Sequence, residues 1–402
     1  NGLTVVVTND TRSAVRLEKE LAQLSPLNVT FFPDWETLPY DSFSPHQDII
    51  SARLSALFHL QQRKQGIFIL PIATLMQRVC PPSYLQHRVL LINKGDRFVI
   101  ETLRLQLEKS GYRAVEQVLE HGEYAVRGAL LDLFPMGSAV PFRLDFFDDE
   151  IDSIRTFDVD TQRTLQEIDQ INLLPAHEFP TDNQGIEFFR SQFRAVFGEI
   201  RRDPEHIYQQ ISKGTLAAGI EYWQPLFFEE MATLFDYFPA NTLFITGEQN
   251  QTQGERFYAD AEQRFESRRV DPMRPLLSPD KLWLRIDEVN RQFKNYPSIA
   301  LKTEKVRSSA RQKNLAITPL PPLTIQSQQK EPLHQLRQFI EHFKGNILFI
   351  AETEGRRETL LSLLAPLKLK PKQIHTLAQA TEEKLALMVS PLEHGFIIEQ
   401  DV

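Results

Sequence analysis

The stretch from Tyr124 to Ile154 reads YAVRGALLDLFPMGSAVPFRLDFFDDEIDSI. Apolar and polar residues alternate along it with the period of two that belongs to half-buried strands. From Phe142 to Phe147 the alternation puts Phe142, Leu144 and Phe146 on one face, which reads as core. Arg143, Asp145 and Phe147 fall on the other, a ring beside opposite charges, the mixture that interfaces favour. Just upstream, Tyr124 and Val126 alternate with Glu123, Ala125 and Arg127, and Gly128 permits a kink or bulge. If these strands are neighbours, Arg127 joins the same patch. The residues alone also admit a structural role, in which Arg143 pairs with Asp145 or Glu150 and Phe147 covers a minor core.

Short strands of this kind, with Gly, Pro and Asp turns and a helix at Thr102 to Lys109, make residues 91–175 a small α+β domain. The flanks have a different texture. Leu3 to Thr8 is a continuous apolar strand, followed by a helix carrying Ala14, Leu17, Leu21 and Leu24 and a strand at Val29 to Phe32. Ser44 and Gln47 form a capping box with Pro45 at the first helical position, and Ile50, Leu54 and Leu57 line that helix. With a strand at Ile67 to Leu70, residues 1–90 read as α/β with a parallel sheet.

In residues 176–298, Thr181 or Asp182 caps a helix bearing Ile186, Phe189 and Phe193, and Asp203 caps another running through Ile211. The apolar strand Thr242 to Ile245 then completes the first sheet. Residues 299–329, with the basic run Lys302 to Lys313, read as a solvated linker. Residues 330–402 form a separate small α/β domain, whose Ile347 to Ile350 and Leu360, Leu361 and Leu364 echo the opening strand and helix. The expected fold is thus α/β, a parallel-sheet domain interrupted by an inserted α+β domain and followed by a C-terminal α/β domain.

A chain of 402 residues, 42% apolar and 24% charged, can bury several cores. No apolar run approaches a bilayer span, and the start NGLTVVV lacks a signal peptide's basic flank, so a cytoplasmic chain is expected. Cys80, the single cysteine, rules out a disulfide framework or thiolate metal cluster within one chain. The start at Asn, at a strand's edge, reads as a fragment of something longer. A net charge of −8 argues against wrapping nucleic acid.

No Gly-Lys dipeptide supplies a P-loop, no G-x-G pair a dinucleotide turn, and neither H-E-x-x-H nor G-x-S-x-G occurs. His334 and His342 lie two turns apart on one helix, too far to share a metal. Asp148, Asp149 and Glu150 read as a polar hairpin turn rather than a cation site. No metal is expected, and no catalytic residue.

Arg127-Gly128, then LLDLFP, then Arg143-x-Asp145-Phe146-Phe147 resemble the second domain of UvrB, the damage-recognition subunit of nucleotide excision repair. GIEYWQPLFFEEMATLFDYFPANTLFI, from Gly219 to Ile245, resembles the part of that subunit where a GIE motif leads into a buried strand. The likeness is closest to the bacterial transcription-repair coupling factors, which share the module and carry DWETLPYDSFSPHQDIIS, here Asp34 to Ser51, and DPEHIYQQ, here Asp203 to Gln210. It is good over about residues 1–300 and looser beyond.

The resemblance implies a degenerate helicase-like fold. UvrB ends the strand after the LFDYFP-like segment in an Asp-Glu pair that holds magnesium for ATP hydrolysis, where this chain has Thr246-Gly247. The turn from Asp34 to His46 lacks the aromatic hairpin that clamps DNA, and Trp35, Tyr40 and Phe43 read as loop packing. Implied site residues are Arg127, Arg143 and Phe147, matching the surface that binds the excinuclease subunit UvrA. The implied role is recruitment of UvrA to RNA polymerase stalled at damage, by a monomer with no ATPase of its own. RNA polymerase, duplex DNA, ATP and magnesium would be engaged by translocase modules beyond residue 402. A truncated fragment of an active UvrB-type helicase, or a module that only restrains a downstream motor, are the alternatives.

Overall fold

The computed structural model describes residues 2–62, 64–198, 200–323 and 331–398. The chain divides into two compact units, residues 1–14 with 30–301, and residues 15–29 with 302–402.

The first unit opens with β1 (Leu3–Thr8), β2 (Val29–Phe31) and β3 (Gly66–Pro71). The chain then leaves through β4 (Leu90–Asn93) and makes β5 (Arg113–Ala114), β6 (Glu123–Arg127), β7 (Leu130–Leu133), β8 (Phe142–Phe147), β9 (Glu150–Phe157) and β10 (Thr164–Ile168). It returns through β11 (Gln170–Leu173) to β12 (Leu243–Gly247) and β13 (Ser298–Leu301). The departing β4 and returning β11 pair antiparallel, Leu90 opposite Leu173, so the insertion leaves and rejoins side by side.

The first sheet has the order β13-β12-β1-β3-β2, and β13, β12, β1 and β3 run parallel. Val5, Phe68 and Phe244, register partners on one face of neighbouring strands, are all buried, whereas Thr4, Val6 and Ile245 on the other face are only partly buried, so β1 and β12 are covered less evenly than a continuous apolar run suggests. The expected return of the strand near Thr242 is met, with Val6 opposite Ile245. The expected linker is corrected at its start: residues 298–301 form the edge strand β13, because Ile299 pairs with Ile245. Residues 324–330 of that expected segment and its boundary lie outside the described residues.

The loop after β2 departs from expectation. The helix there spans Gln47–Gln62, and Ser44 does not cap it. Its hydroxyl donates to Glu221 Oε2 at 2.8 Å and accepts from Gly219 N at 2.9 Å, a tertiary pairing that outcompetes the local one. Gly219 has φ +73°, and a Cβ there would stand 2.9 Å from the Asp41 carbonyl oxygen, which accounts for the glycine. Trp35 and Tyr40 pack inward as expected, but Phe43 is 68% exposed. Arg53, on the same helix, is buried against Glu178, and its Nη1 donates to the Pro33 carbonyl at 2.8 Å. Asp182 caps the Asn183–Phe197 helix as read, accepting from Gly185 N at 2.8 Å. Asp203 does not cap the Ile207–Ser212 helix. That position belongs to His206, whose ring accepts from Tyr208 N, while Asp203 turns back to Glu205 N.

The second unit contains β14 (Ile317–Pro319), β15 (Ile347–Ala351), β16 (Lys372–Gln373), β17 (Leu385–Val389) and β18 (Phe396–Ile398). β15, β17 and β16 make a parallel sheet in that order, and β14 pairs antiparallel with β18, so the expected linker also contains a strand. Residues 15–29 group here rather than with the first sheet because Leu24 packs on Ile374, Ala386 and Met388, and Arg16 lies 3.8 Å from Glu393. Among the described residues no helix is long and apolar enough to cross a membrane.

Candidate functional site

The inserted sheet has the order β10-β9-β8-β7-β6-β5. Its hairpins are tight. Arg127 pairs with Leu130 around Gly128 and Ala129, and Gly128 at φ +62° supplies the turn itself rather than a bulge. Phe147 pairs with Glu150 around Asp148 and Asp149, with Asp148 at φ +55°, the polar turn expected there. The bulge lies in β9 at Asp152, the extra residue between Ser153 and Ile151, which pair with the consecutive Asp145 and Phe146 of β8. Among the described residues no group of His, Cys, Asp and Glu could hold a metal ion.

One face is core. Phe142, Leu144 and Phe146 are all buried and join Leu131, Ile151 and Ile154 in the large cluster. On the opposite face the register aligns Ala125, Asp132, Arg143 and Arg155 across β6 to β9, and Arg127, Leu130 and Asp145 one step along. β7 separates β6 from β8, so Arg127 and Arg143 are not on adjacent strands. They meet through Asp132, which that intervening strand contributes.

Asp132 is 1% exposed. Arg143 Nε donates to its Oδ1 at 2.7 Å and Nη2 to its Oδ2 at 2.9 Å, a two-pronged pairing that fixes the guanidinium plane. Arg127 Nη2 donates to the same Oδ2. Arg143 Nη1 turns to the Gln162 carbonyl at 3.4 Å, and the guanidinium lies 5.0 Å from the Phe157 ring centroid. Phe157 belongs to a minor core with Val118, Ala125 and Phe134. Hydrogen bonding to Asp132 raises the Arg143 pKa above the usual arginine value, so its charge is fixed.

Exposure grades the three candidates. The Arg143 side chain is 19% exposed and that of Arg127 51%, whereas Phe147 is 74% exposed at the hairpin tip. The structural alternative is corrected in its particulars: Arg143 pairs with neither Asp145 nor Glu150, and Phe147 covers no core. Glu150 instead faces Arg97 at 3.4 Å. Asp132, which sequence reasoning missed, carried one signal, a charged residue alternating with Leu131 and Leu133 inside LLDLFP.

At the carboxyl ends of β1 and β12, Thr246 pairs with Val7 and Ala300, and Gly247 with Leu301. Gly247 N donates to Asn250 Oδ1 at 3.2 Å, and Asn250 Nδ2 to the Val7 carbonyl at 2.9 Å. A Cβ at Gly247 would stand 3.0 Å from Asn250 Oδ1. Asp10, the residue before the Thr11–Leu24 helix, accepts from Ser13 N through Oδ1 at 2.7 Å, so a capping carboxylate takes an N–H group that a phosphate would need. Glu248 follows in the turn beyond the strand. These residues do not fit a magnesium nucleotide.

Residues 90–179 match the UvrB interaction domain family, and residues 339–402 the family described as MFD, D3 domain. The chain is 78% identical over 400 residues to the transcription-repair-coupling factor of Haemophilus influenzae, covering 100% of this chain and 35% of that protein. It is 57% identical over 397 residues to that of Escherichia coli K12, covering 98% and 34%. The Bacillus subtilis protein of the same name is 22% identical over 414 residues, covering 97% and 34%. The chain spans about a third of the length of the curated relatives it matches.

Proposed function

This chain belongs to the transcription-repair-coupling factors over the UvrB-like region it spans, and we propose that this region recruits UvrA to RNA polymerase stalled at DNA damage. The observation that carries the reading is the outer face of the inserted sheet, where Arg127 and Phe147 stand exposed on strands whose other face is core. The match of residues 90–179 to the UvrB interaction domain supports it. So does identity to coupling factors along the whole chain, which favours this reading over a fragment of an excision-repair helicase.

The chemistry of recognition is ordinary. An arginine with outward donors reads a carboxylate, while a ring on a rigid hairpin fills an apolar socket and excludes water. The region acts as a cytoplasmic docking module and not as an enzyme: it binds no ATP or magnesium, consistent with Asp10 and Gly247 at the strand ends. Contacts with RNA polymerase and duplex DNA, and ATP-driven translocation, belong to the remainder of the longer proteins.

Sedimentation of the 402-residue chain mixed with purified UvrA tests the reading. A complex at micromolar concentration is expected. Independent sedimentation at ten times that concentration would overturn it.

A further inference from the structure

We infer that Asp132 is the positioning residue of the docking face: its buried carboxylate sets the pose in which Arg127 meets a partner's carboxylate. The inference rests on the UvrA reading and deepens it.

Asp132 uses both oxygens inside the sheet. Oδ1 takes Arg143 Nε, and Oδ2 takes both Arg143 Nη2 and Arg127 Nη2. One buried anion therefore holds two cations from strands that do not touch. Arg143 is further fixed by the Gln162 carbonyl, the Thr164 hydroxyl at 3.5 Å and the Phe157 ring. Its guanidinium is largely committed within the chain.

Arg127 differs, for it pairs with Asp132 through Nη2 alone and its side chain is half exposed. A free arginine there would sample many rotamers, and ordering it on binding costs conformational entropy. Asp132 removes part of that cost beforehand, leaving Nε and Nη1 for a partner. Phe147 lies on the same face of the sheet. The surface thus fits a partner presenting one carboxylate near an apolar socket, and Asp132 offsets one of the two arginine charges, which weakens non-specific attraction to polyanions.

The test uses the 402-residue chain and purified UvrA, with Asp132→Asn as the main variant. It keeps both arginines and the side chain's size but loses the charge and one acceptor. UvrA affinity is expected to fall at least tenfold with the far-ultraviolet spectrum unchanged. In parallel, relaxation of the Arg127 Nε–H signal should report a mobile side chain in the variant and an ordered one in the parent. Asp132→Ala supplies a second arm, since formate can restore a carboxylate between the arginines. Binding should recover in formate but not in chloride of equal ionic strength.

Affinity within twofold of the parent in Asp132→Asn overturns the role, as does formate that restores nothing. Unfolding of both variants would make Asp132 a fold residue and also overturn it. If the parent itself fails to bind UvrA, the recruitment reading falls. The Arg127 signal then decides positioning alone, and an ordered Arg127 in Asp132→Asn refutes it.

Discussion

Asp132 and Arg143 face each other across β7 and β8 and join through two parallel N–H···O bonds, Nε to Oδ1 at 2.7 Å and Nη2 to Oδ2 at 2.9 Å. The carboxylate is buried, the guanidinium nearly so, and Arg127 closes on the same oxygen. The relationship turns two basic residues, which sequence reasoning treats as parallel surface anchors, into a graded pair: an inner arginine tied into the sheet and an outer one presented from it.

Leu144 and Phe147 give the two faces opposite consequences. Leu144→Ala should destabilise the first unit by about 2–5 kcal/mol, because Leu144 is fully buried and its loss opens a cavity. Phe147→Ala should change stability by no more than about 0.5 kcal/mol. Urea unfolding of both variants checks the assignment, and comparable losses would show that the hairpin tip is core.

How much of this was legible in sequence follows from the range of the interactions. Period-two alternation from Phe142 to Phe147 is local, and it placed Phe142, Leu144 and Phe146 inside and Phe147 outside. The adjacency of β7 to both β6 and β8 is not local, so Asp132 went unnoticed. Ser44 failed as a cap for the same reason: Glu221, far along the chain, claims its hydroxyl. Arg53 was invisible because a helical arginine is ordinarily solvated, and nothing nearby announces Glu178. The Thr246-Gly247 strand end is read directly from the sequence, but the Asp10 carboxylate that caps the Thr11–Leu24 helix was not singled out.

Glu221 predicts a pH dependence. Burial raises its pKa from 4.5 to about 7, against the weaker opposing effect of hydrogen bonds from the backbone and Ser44. The folded chain keeps a proton that the unfolded chain releases above about pH 4.5. Stability therefore falls as pH rises from about 4.5 to 7 and levels off above, a loss of about 3 kcal/mol from this group. Glu221→Gln retains an acceptor for Ser44 and removes the titration. Its stability relative to the parent should climb across that window and plateau near pH 8, and a pH-independent difference in denaturant midpoints would refute the assignment.

Arg53 and Glu178 should behave as a buried pair. Arg53→Ala strands the Glu178 carboxylate, only 2% exposed, and removes the guanidinium packed on Phe32 and Trp35, so it should cost about 3–5 kcal/mol. Replacing both with apolar residues, Arg53→Met with Glu178→Leu, should cost much less. Thermal melts of the three proteins would expose an error if the single and double variants lose the same amount.

The strand-end geometry predicts inert nucleotide chemistry. Calorimetry with magnesium ATP should show no heat of binding at micromolar concentration. Saturable, magnesium-dependent binding that weakens on Asp10→Ala or Gly247→Ala would contradict the fit described for those residues.

The central claim, that the outer face of the inserted sheet is the docking surface for UvrA, is tested most directly by equilibrium titration of UvrA with the parent chain, Phe147→Ala and Arg127→Glu. The account predicts losses of about 2 kcal/mol or more, roughly thirtyfold, for Phe147→Ala. Arg127→Glu should lose more, since it adds repulsion against the partner's carboxylate. The melting curve of Phe147→Ala should match the parent, and Arg127→Glu, which sets a second carboxylate beside buried Asp132, should melt lower but stay folded at the titration temperature. Affinities indistinguishable from the parent in two well-folded variants would contradict it.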